Sequence, residues 1–201
     1  ITWLQIFGNR ISDISALKGM TGLRNLYLWD NQVRDISALS GLKELWDLNL
    51  SRNRISDFSP LRGLTKIDYL SIGEQTPPIQ NRWIQTGVDW WYLDSSGDLA
   101  RGWALINGNW YHFIGYGQME TGWKQLGGQW YYLSSSGAMK TGWVQTGGAW
   151  YYLNASGAMH TGWLQQGKTW YYLKPGGAMV TGNYIINGKV NRFSSSGAWL
   201  G

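Results

Sequence analysis

Trp103-Ala104-Leu105-Ile106-Asn107-Gly108-Asn109-Trp110-Tyr111 recurs, with substitutions, every twenty residues through the second half of the chain. Tryptophan stands at 83, 103, 123, 143 and 163, and again at 90, 110, 130, 150 and 170. So strict a period marks a repeat array, in which a unit too small to bury a core alone must stack on its neighbours. Asn107-Gly108, Gly127-Gly128, Gly147-Gly148 and Gly167-Lys168 supply the positive φ of a tight hairpin, and the Trp, Tyr and Thr around them favour strand. Each unit therefore reads as a two-stranded hairpin followed by a loop around Gly117, Gly137, Gly157 or Gly177. An isolated hairpin is marginal in water, so stacking into a solenoid is expected.

Strand alternation puts Trp130 and Tyr132 on one side, and Tyr131 with Leu133 on the other. Trp123 and Trp130, on facing strands, can present two indole faces together, and a ring from the next hairpin would close a third wall. Such a box suits a quaternary ammonium, which cannot hydrogen-bond but is held by aromatic faces. The competing reading is an aromatic core. Aliphatic side chains would fill a core more simply, and Trp is seldom fully buried, which favours the box.

Outward from this array, the first half keeps a different period. Leu4, Leu26, Leu48 and Leu70 are spaced by 22 residues, as are Ile6, Leu28, Leu50 and Ile72. Asn9, Asn31 and Asn53 follow in phase. Leu23-x-x-Leu26-x-Leu28-x-x-Asn31-x-Val33 is a leucine-rich-repeat pattern, a short strand and then a turn whose Asn can bond backbone. Asp35-Ile36-Ser37-Ala38-Leu39 offers a helical or 3₁₀ return. The aromatics that alternate away from the leucines, Trp3, Phe7, Tyr27, Trp29 and Tyr69, are candidates for a partner-binding patch, since Trp and Tyr dominate interface hot spots. Closing the end of the stack, or packing on the second domain, is the alternative. Glu74-Gln75-Thr76-Pro77-Pro78 ends the repeats, because Pro-Pro imposes extended backbone and offers no donors. The expected domains are 1–78 and 79–201, held in a fixed relation by this stiff junction.

Composition narrows the function. Twelve of the 15 Trp follow residue 80, so the halves differ in design. The net charge is +5, but residues 1–78 carry nine Lys/Arg against eight Asp/Glu, and residues 79–201 eight against four. No dense basic cluster marks a nucleic-acid footprint. No apolar run is long enough for a membrane span. Without cysteine there is no disulfide or thiol chemistry. The chain starts at Ile1 without a basic-then-apolar leader, as expected if a signal had been removed or had never existed. No nucleophile elbow or zinc-binding helix motif is present. Asp13, Asp35 and Asp57 recur with the leucine period and read as turn acceptors. His112 and His160 read as exposed residues of repeat slots. An enzyme is not expected.

Gly122-Trp123…Trp130-Tyr131-Tyr132-Leu133…Gly137-Ala138-Met139-Lys140-Thr141-Gly142-Trp143 resembles the choline-binding repeat of pneumococcal and phage cell-wall proteins, and the resemblance extends over residues 80–201. Residues 1–75 resemble the 22-residue leucine-rich repeats of bacterial internalin-like surface proteins. The resemblance implies two repeat solenoids, one with short strands and 3₁₀ or helical returns, one of β-hairpins in about six units with the last a cap. It implies a choline site from two Trp of one repeat and a Tyr of the next. Carried over, the sites are Trp83, Trp90 and Tyr111; Trp103, Trp110 and Tyr131; Trp123, Trp130 and Tyr151; and Trp143, Trp150 and Tyr171. Met119, Met139, Met159 and Met179 lie alongside as soft partners. Which Tyr of each Tyr-Tyr pair closes the box stays open. The first is favoured, because the second becomes His112 in one repeat, although alternation groups the first with the core Leu. Trp163 and Trp170 are expected to lack a third wall, since the last unit has Val190, Asn191 and Arg192 where others have Trp-Tyr-Tyr, with Trp199 in the Met slot.

The function implied is a secreted, non-catalytic bacterial cell-surface protein. It would be anchored to phosphocholine of teichoic and lipoteichoic acid and would display its leucine-rich repeats to a protein partner as an adhesin or virulence factor. No cofactor, nucleic acid or membrane insertion is implied. A regulator competing with cell-wall hydrolases for phosphocholine, or a glycan-binding module, is the alternative. Three ring contacts of about 2 kcal/mol each, less an ordering cost, leave one site with an affinity of roughly millimolar. Several such sites on one polymer gain avidity of order 10² or more per matched link. Anchoring would come from number rather than from any one site.

Overall fold

The computed structural model describes residues 1–201 and divides into two compact units, Ile1–Glu120 and Thr121–Gly201. The first opens with four short parallel strands, β1 (Trp3–Gln5), β2 (Asn25–Tyr27), β3 (Asp47–Asn49) and β4 (Tyr69–Ser71), paired in order. Leu4 pairs with Leu26, Leu26 with Leu48 and Leu48 with Leu70, so the 22-residue period becomes the register of the sheet. The return passes through 3₁₀ turns at Ser15–Leu17, Ser37–Gly41 and Ser59–Gly63. Asp13, Asp35 and Asp57 each accept the N–H of the serine two residues on, at 2.8, 2.7 and 2.8 Å, which starts each turn.

Buried amides hold successive coils together. Asn53 accepts the Val33 N–H at 3.0 Å and donates to the carbonyls of Leu28 and Leu50 at 2.9 and 3.0 Å. Asn31 makes the same set one coil earlier, with Ile11, Ile6 and Leu28. Gln75 makes it one coil later, bonding the Ile55 N–H and the carbonyls of Leu50 and Ile72. The junction segment thus begins as the last rung of this ladder, with Thr76–Pro77 in the cis form just after it.

The remaining strands form six antiparallel hairpins: β5–β6 (Arg82–Thr86, Asp89–Leu93), β7–β8 (Gly102–Ile106, Asn109–Phe113), β9–β10 (Gly122–Leu126, Gln129–Leu133), β11–β12 (Gly142–Thr146, Ala149–Leu153), β13–β14 (Gly162–Gln166, Thr169–Leu173) and β15–β16 (Gly182–Ile186, Lys189–Phe193). Asn107-Gly108, Gly127-Gly128 and Gly147-Gly148 have positive φ at both turn residues, as in Gly127 (56°) and Gly128 (79°), whereas Gly167-Lys168 has it at Gly167 (60°) alone. Each hairpin ends in a fully or nearly buried Leu or Phe that bridges to the Met-slot residue of the following loop, as Leu153 does to Met159.

The first hairpin belongs to the leucine core. Ile84, Trp91 and Leu93 are buried in the same cluster as Leu48, Leu61 and Leu70. Trp91 fills the slot of the first Tyr in other units, and its indole N–H donates to Thr86 Oγ1 at 2.9 Å. The loop after β8 also packs on the parallel sheet: Tyr116 meets Tyr69 with centroids 4.5 Å apart, and Gln118 donates to the Asp68 carbonyl at 2.7 Å.

Candidate functional site: aromatic cages between successive hairpins

The hairpin register decides which rings meet. Trp143 pairs across the strands with Tyr152 and Gln145 with Trp150, so Trp143, Trp150 and Tyr152 share one face. Trp143 stands 6.4 Å from Trp150, nearly perpendicular at 83°, and 5.3 Å from Tyr152. The opposite face of the next hairpin supplies Tyr171, 5.0 Å from Trp143 at 65°. Alternation groups this first tyrosine with the core leucine, as the sequence indicates, and that is the face which meets the preceding hairpin. Both tyrosines of the Tyr151-Tyr152 and Tyr171-Tyr172 pairs are therefore used, the second against its own tryptophan and the first against the tryptophan of the hairpin before.

The same arrangement recurs. Trp123 meets Trp130, Tyr132 and Tyr151 at 6.4, 5.0 and 4.8 Å. Trp83 meets Trp90, Tyr92 and Tyr111 at 6.2, 5.0 and 5.1 Å. Trp103 meets Trp110 at 6.5 Å in the first unit, while Tyr131 belongs to the second. Adjacent walls set near right angles leave a concave corner lined by ring faces. Around Trp143, Trp150, Tyr171 and Met179 it forms an open cavity of about 330 Å³, with Ser195 and Ser196 on its rim. The second tryptophans remain exposed, Trp130 and Trp150 both at 40%. The methionine backbone ties each floor in place: the N–H groups of Met119, Met159 and Met179 donate to the carbonyls of Trp90, Trp130 and Trp150 at 2.8, 2.7 and 2.7 Å. Met139 lies against Gly157 of the following loop.

Two sites depart from sequence expectation. The Trp163–Trp170 pair does have a third ring: Trp199 lies 5.4 Å from Trp163 at 78°, its N–H donating to the Trp170 carbonyl at 2.8 Å as a Met-slot residue should. Its indole Nε1–H donates to Asn191 Oδ1 at 3.1 Å, so the residue that replaces the closing tyrosine orients the indole instead. Arg192 pairs with Asn183 of its own hairpin, the place a tyrosine takes over its own tryptophan elsewhere. His112 is not an exposed residue. It occupies the second-tyrosine slot, 5.0 Å from Trp103, and its Nδ1 lies 2.5 Å from Glu120, both side chains about 15% exposed.

On the strand face of the first unit, Phe7 stacks on Trp29 with centroids 4.4 Å apart, and Trp3 meets Tyr27 edge-on at 6.3 Å. Tyr27 donates to Asp47 at 2.5 Å, and this bond holds its phenol above the usual tyrosine range. Tyr69 lies between Trp46 and Tyr116. Trp46 sits just before β3, where strand alternation gives no signal for it, yet it is 43% exposed and joins this face against Tyr69.

Fold and site together define a β-hairpin repeat protein whose neighbouring hairpins share open aromatic cages. The choline-binding repeat model matches residues 120–162, and the model of putative cell wall binding repeats matches 81–99, 102–114 and 161–179. A model of two leucine-rich repeats matches residues 1–46. The chain thus carries choline-binding repeats behind an N-terminal leucine-rich-repeat match. Among solved structures, choline binding protein F from Streptococcus pneumoniae is 48% identical, covering 61% of this chain and 42% of its own, with a TM-score of 0.58. Its structure with ipratropium introduced by soaking matches at 52% identity over 56% of this chain and 37% of its own, TM-score 0.54. CbpJ from Streptococcus pneumoniae TIGR4 is 47% identical over 60% of this chain and 42% of its own, TM-score 0.58. The chain spans less than half the length of these relatives. A comparison with curated proteins gives no match.

Proposed function

We propose that residues 79–201 anchor the protein to a cell surface by holding the trimethylammonium heads of phosphocholine-bearing teichoic and lipoteichoic acids. The observation that carries this is the open corner of Trp143, Trp150 and Tyr171. A ring face attracts a cation through its quadrupole, and three faces around one point replace hydration that a quaternary ammonium holds only weakly. The relative solved with ipratropium, itself a quaternary ammonium compound, supports the same ligand class. The corners at Trp83, Trp123 and Trp143 and the Trp163–Trp170–Trp199 corner are each weak, and the set is strong through avidity.

Residues 1–75 form, in this reading, a leucine-rich-repeat solenoid that presents Trp3, Phe7, Tyr27 and Trp29 to a protein partner, as in an adhesin. No helix is long and apolar enough to cross a membrane. The chain acts by binding and catalyses nothing. Retention of the 201-residue chain on a quaternary-amine resin, with elution by free choline, tests the proposal. Passage through the resin, or elution by a glucan oligosaccharide in place of choline, overturns it.

A further inference from the structure

Among the cages, the one at Trp83 and Trp90 is flanked by arginine. A cavity of about 90 Å³ against these two indoles is also lined by Asp57, Arg62 and Arg82. Arg82 stands where every later unit has glycine: Gly102, Gly122, Gly142, Gly162 and Gly182. Those glycines all have positive φ, from 64° to 82°, which disfavours a side chain there. In the first unit the left-handed residue is Asn81 (φ 51°) instead, which frees the next position for arginine. Arg62 comes from the last 3₁₀ turn of the leucine-bearing part, whose Arg62 carbonyl also accepts the Gly87 N–H of the first hairpin at 2.9 Å.

The charges are arranged to meet an anion. Arg82 Nη1 donates to the Ser56 carbonyl at 2.8 Å, which fixes the guanidinium and leaves its other donors. Arg62 has no hydrogen-bonded or ion-paired side chain. Asp57 is engaged by the N–H and hydroxyl of Ser59, both at 2.8 Å, and the Ser59 N–H above all keeps its carboxyl below the usual range. Two guanidinium groups against one ionised carboxylate leave this cavity with one net positive charge beside a cage for a cation. By contrast, the rim at Trp143 and Trp150 offers the hydroxyls of Ser195 and Ser196 and no charged group.

From this juxtaposition we infer that the first cage is a zwitterion site, in which Arg62 and Arg82 bind the phosphate of a phosphocholine diester whose trimethylammonium sits against Trp83 and Trp90. In such a diester only two methylenes and one oxygen separate the nitrogen from the phosphorus, so a phosphate reaches only a group bordering the cage. Guanidinium is suited to it through paired N–H donors. This deepens the proposed choline reading and rests on it. The first cage would read the polymer's phosphodiester as well as its head group, whereas the Trp143 cage reads the head group alone.

The test uses the full chain with ¹⁵N-labelled tryptophan, following the indole N–H signals of Trp83, Trp90, Trp143 and Trp150 during titration with choline or glycerophosphocholine. Signals are assigned with single Trp→Phe variants. Glycerophosphocholine is expected to half-saturate the Trp83 and Trp90 signals at roughly fivefold lower concentration than choline, since exposed charge-assisted contacts are modest. At Trp143 and Trp150 the two ligands should be equal. Arg62→Gln, whose side chain holds no structural bond, and Arg82→Gln should each reduce the preference at the first cage, as should high salt. Equal midpoints at both cages, or a preference that survives both variants, overturn the inference while leaving choline binding standing. Indole signals that ignore both ligands at every cage overturn the choline reading itself.

Discussion

Trp90 and Trp91 are adjacent in sequence and face opposite ways: Trp90 is 37% exposed at the wall of a cage, whereas Trp91 is wholly buried with its indole N–H on Thr86. Alternation along β6 separates binding from stability within one dipeptide. Trp91→Ala is expected to cost about 3–5 kcal/mol by opening a core cavity, read from urea unfolding. Trp90→Ala should change stability far less and abolish the choline response of Trp83. Equal destabilisation by the two would show that Trp90 is also core.

Trp199 completes the last corner, so Trp199→Ala should remove the choline-induced indole shift of Trp163 and leave those of Trp143 and Trp150 intact. Asn191→Ala keeps the ring but frees its N–H. One neutral hydrogen bond is worth about 0.5–1.5 kcal/mol, so a loss of roughly two- to tenfold in affinity at that corner is expected. An unchanged Trp163 response in Trp199→Ala would show that two indoles suffice.

The amide ladder predicts a matched pair of effects. Asn53→Ala strands the Val33 N–H in the core and leaves the Leu28 and Leu50 carbonyls with one donor each, from Asn31 and Gln75, whereas Gln75→Ala strands the Ile55 N–H and the Ile72 carbonyl. Each should lower stability by about 1–3 kcal/mol, since a buried unsatisfied group loses its full solvation. A near-neutral Gln75→Ala in urea unfolding would place the end of the ladder at Asn53.

Gly177 has φ of 82° and faces Met159, whose sulfur a Cβ would run into. Gly147 is left-handed too (57°) but has open space around it. Left-handed backbone costs a non-glycine residue about 1–2 kcal/mol. Gly147→Ala should show only this cost, and Gly177→Ala distinctly more. Adding Met159→Ala to Gly177→Ala should give a destabilisation smaller than the sum of the two single effects, as coupling through contact requires.

Much of this was legible because the periods are strict. The 22-residue step of the leucines became strand register, and the turn glycines became hairpins. The second tyrosine of each pair was readable in principle: a two-residue turn at Gly127-Gly128 fixes Trp123 opposite Tyr132. What stayed hidden depended on substitutions that keep a role while changing the residue. Gln75 is in phase with Asn53 but reads as linker beside Pro77 and Pro78. Trp91 in a tyrosine slot turns toward leucines because no cage precedes it. Trp199 replaces a methionine and thereby restores the wall that Asn191 removes. His112 reads as exposed until its pairing with Glu120 is seen. The arginines of the first cage come from different repeats, and no single period connects them.

Intermolecular NOEs from choline methyl protons to the rings of the full chain are the most direct measure of whether the cages are open. Contacts to Trp143, Trp150 and Tyr171, with none to the buried Trp91, are the expected result. Absence of any NOE or shift at Trp143 and Trp150 in saturating choline would contradict it and make these tryptophans structural.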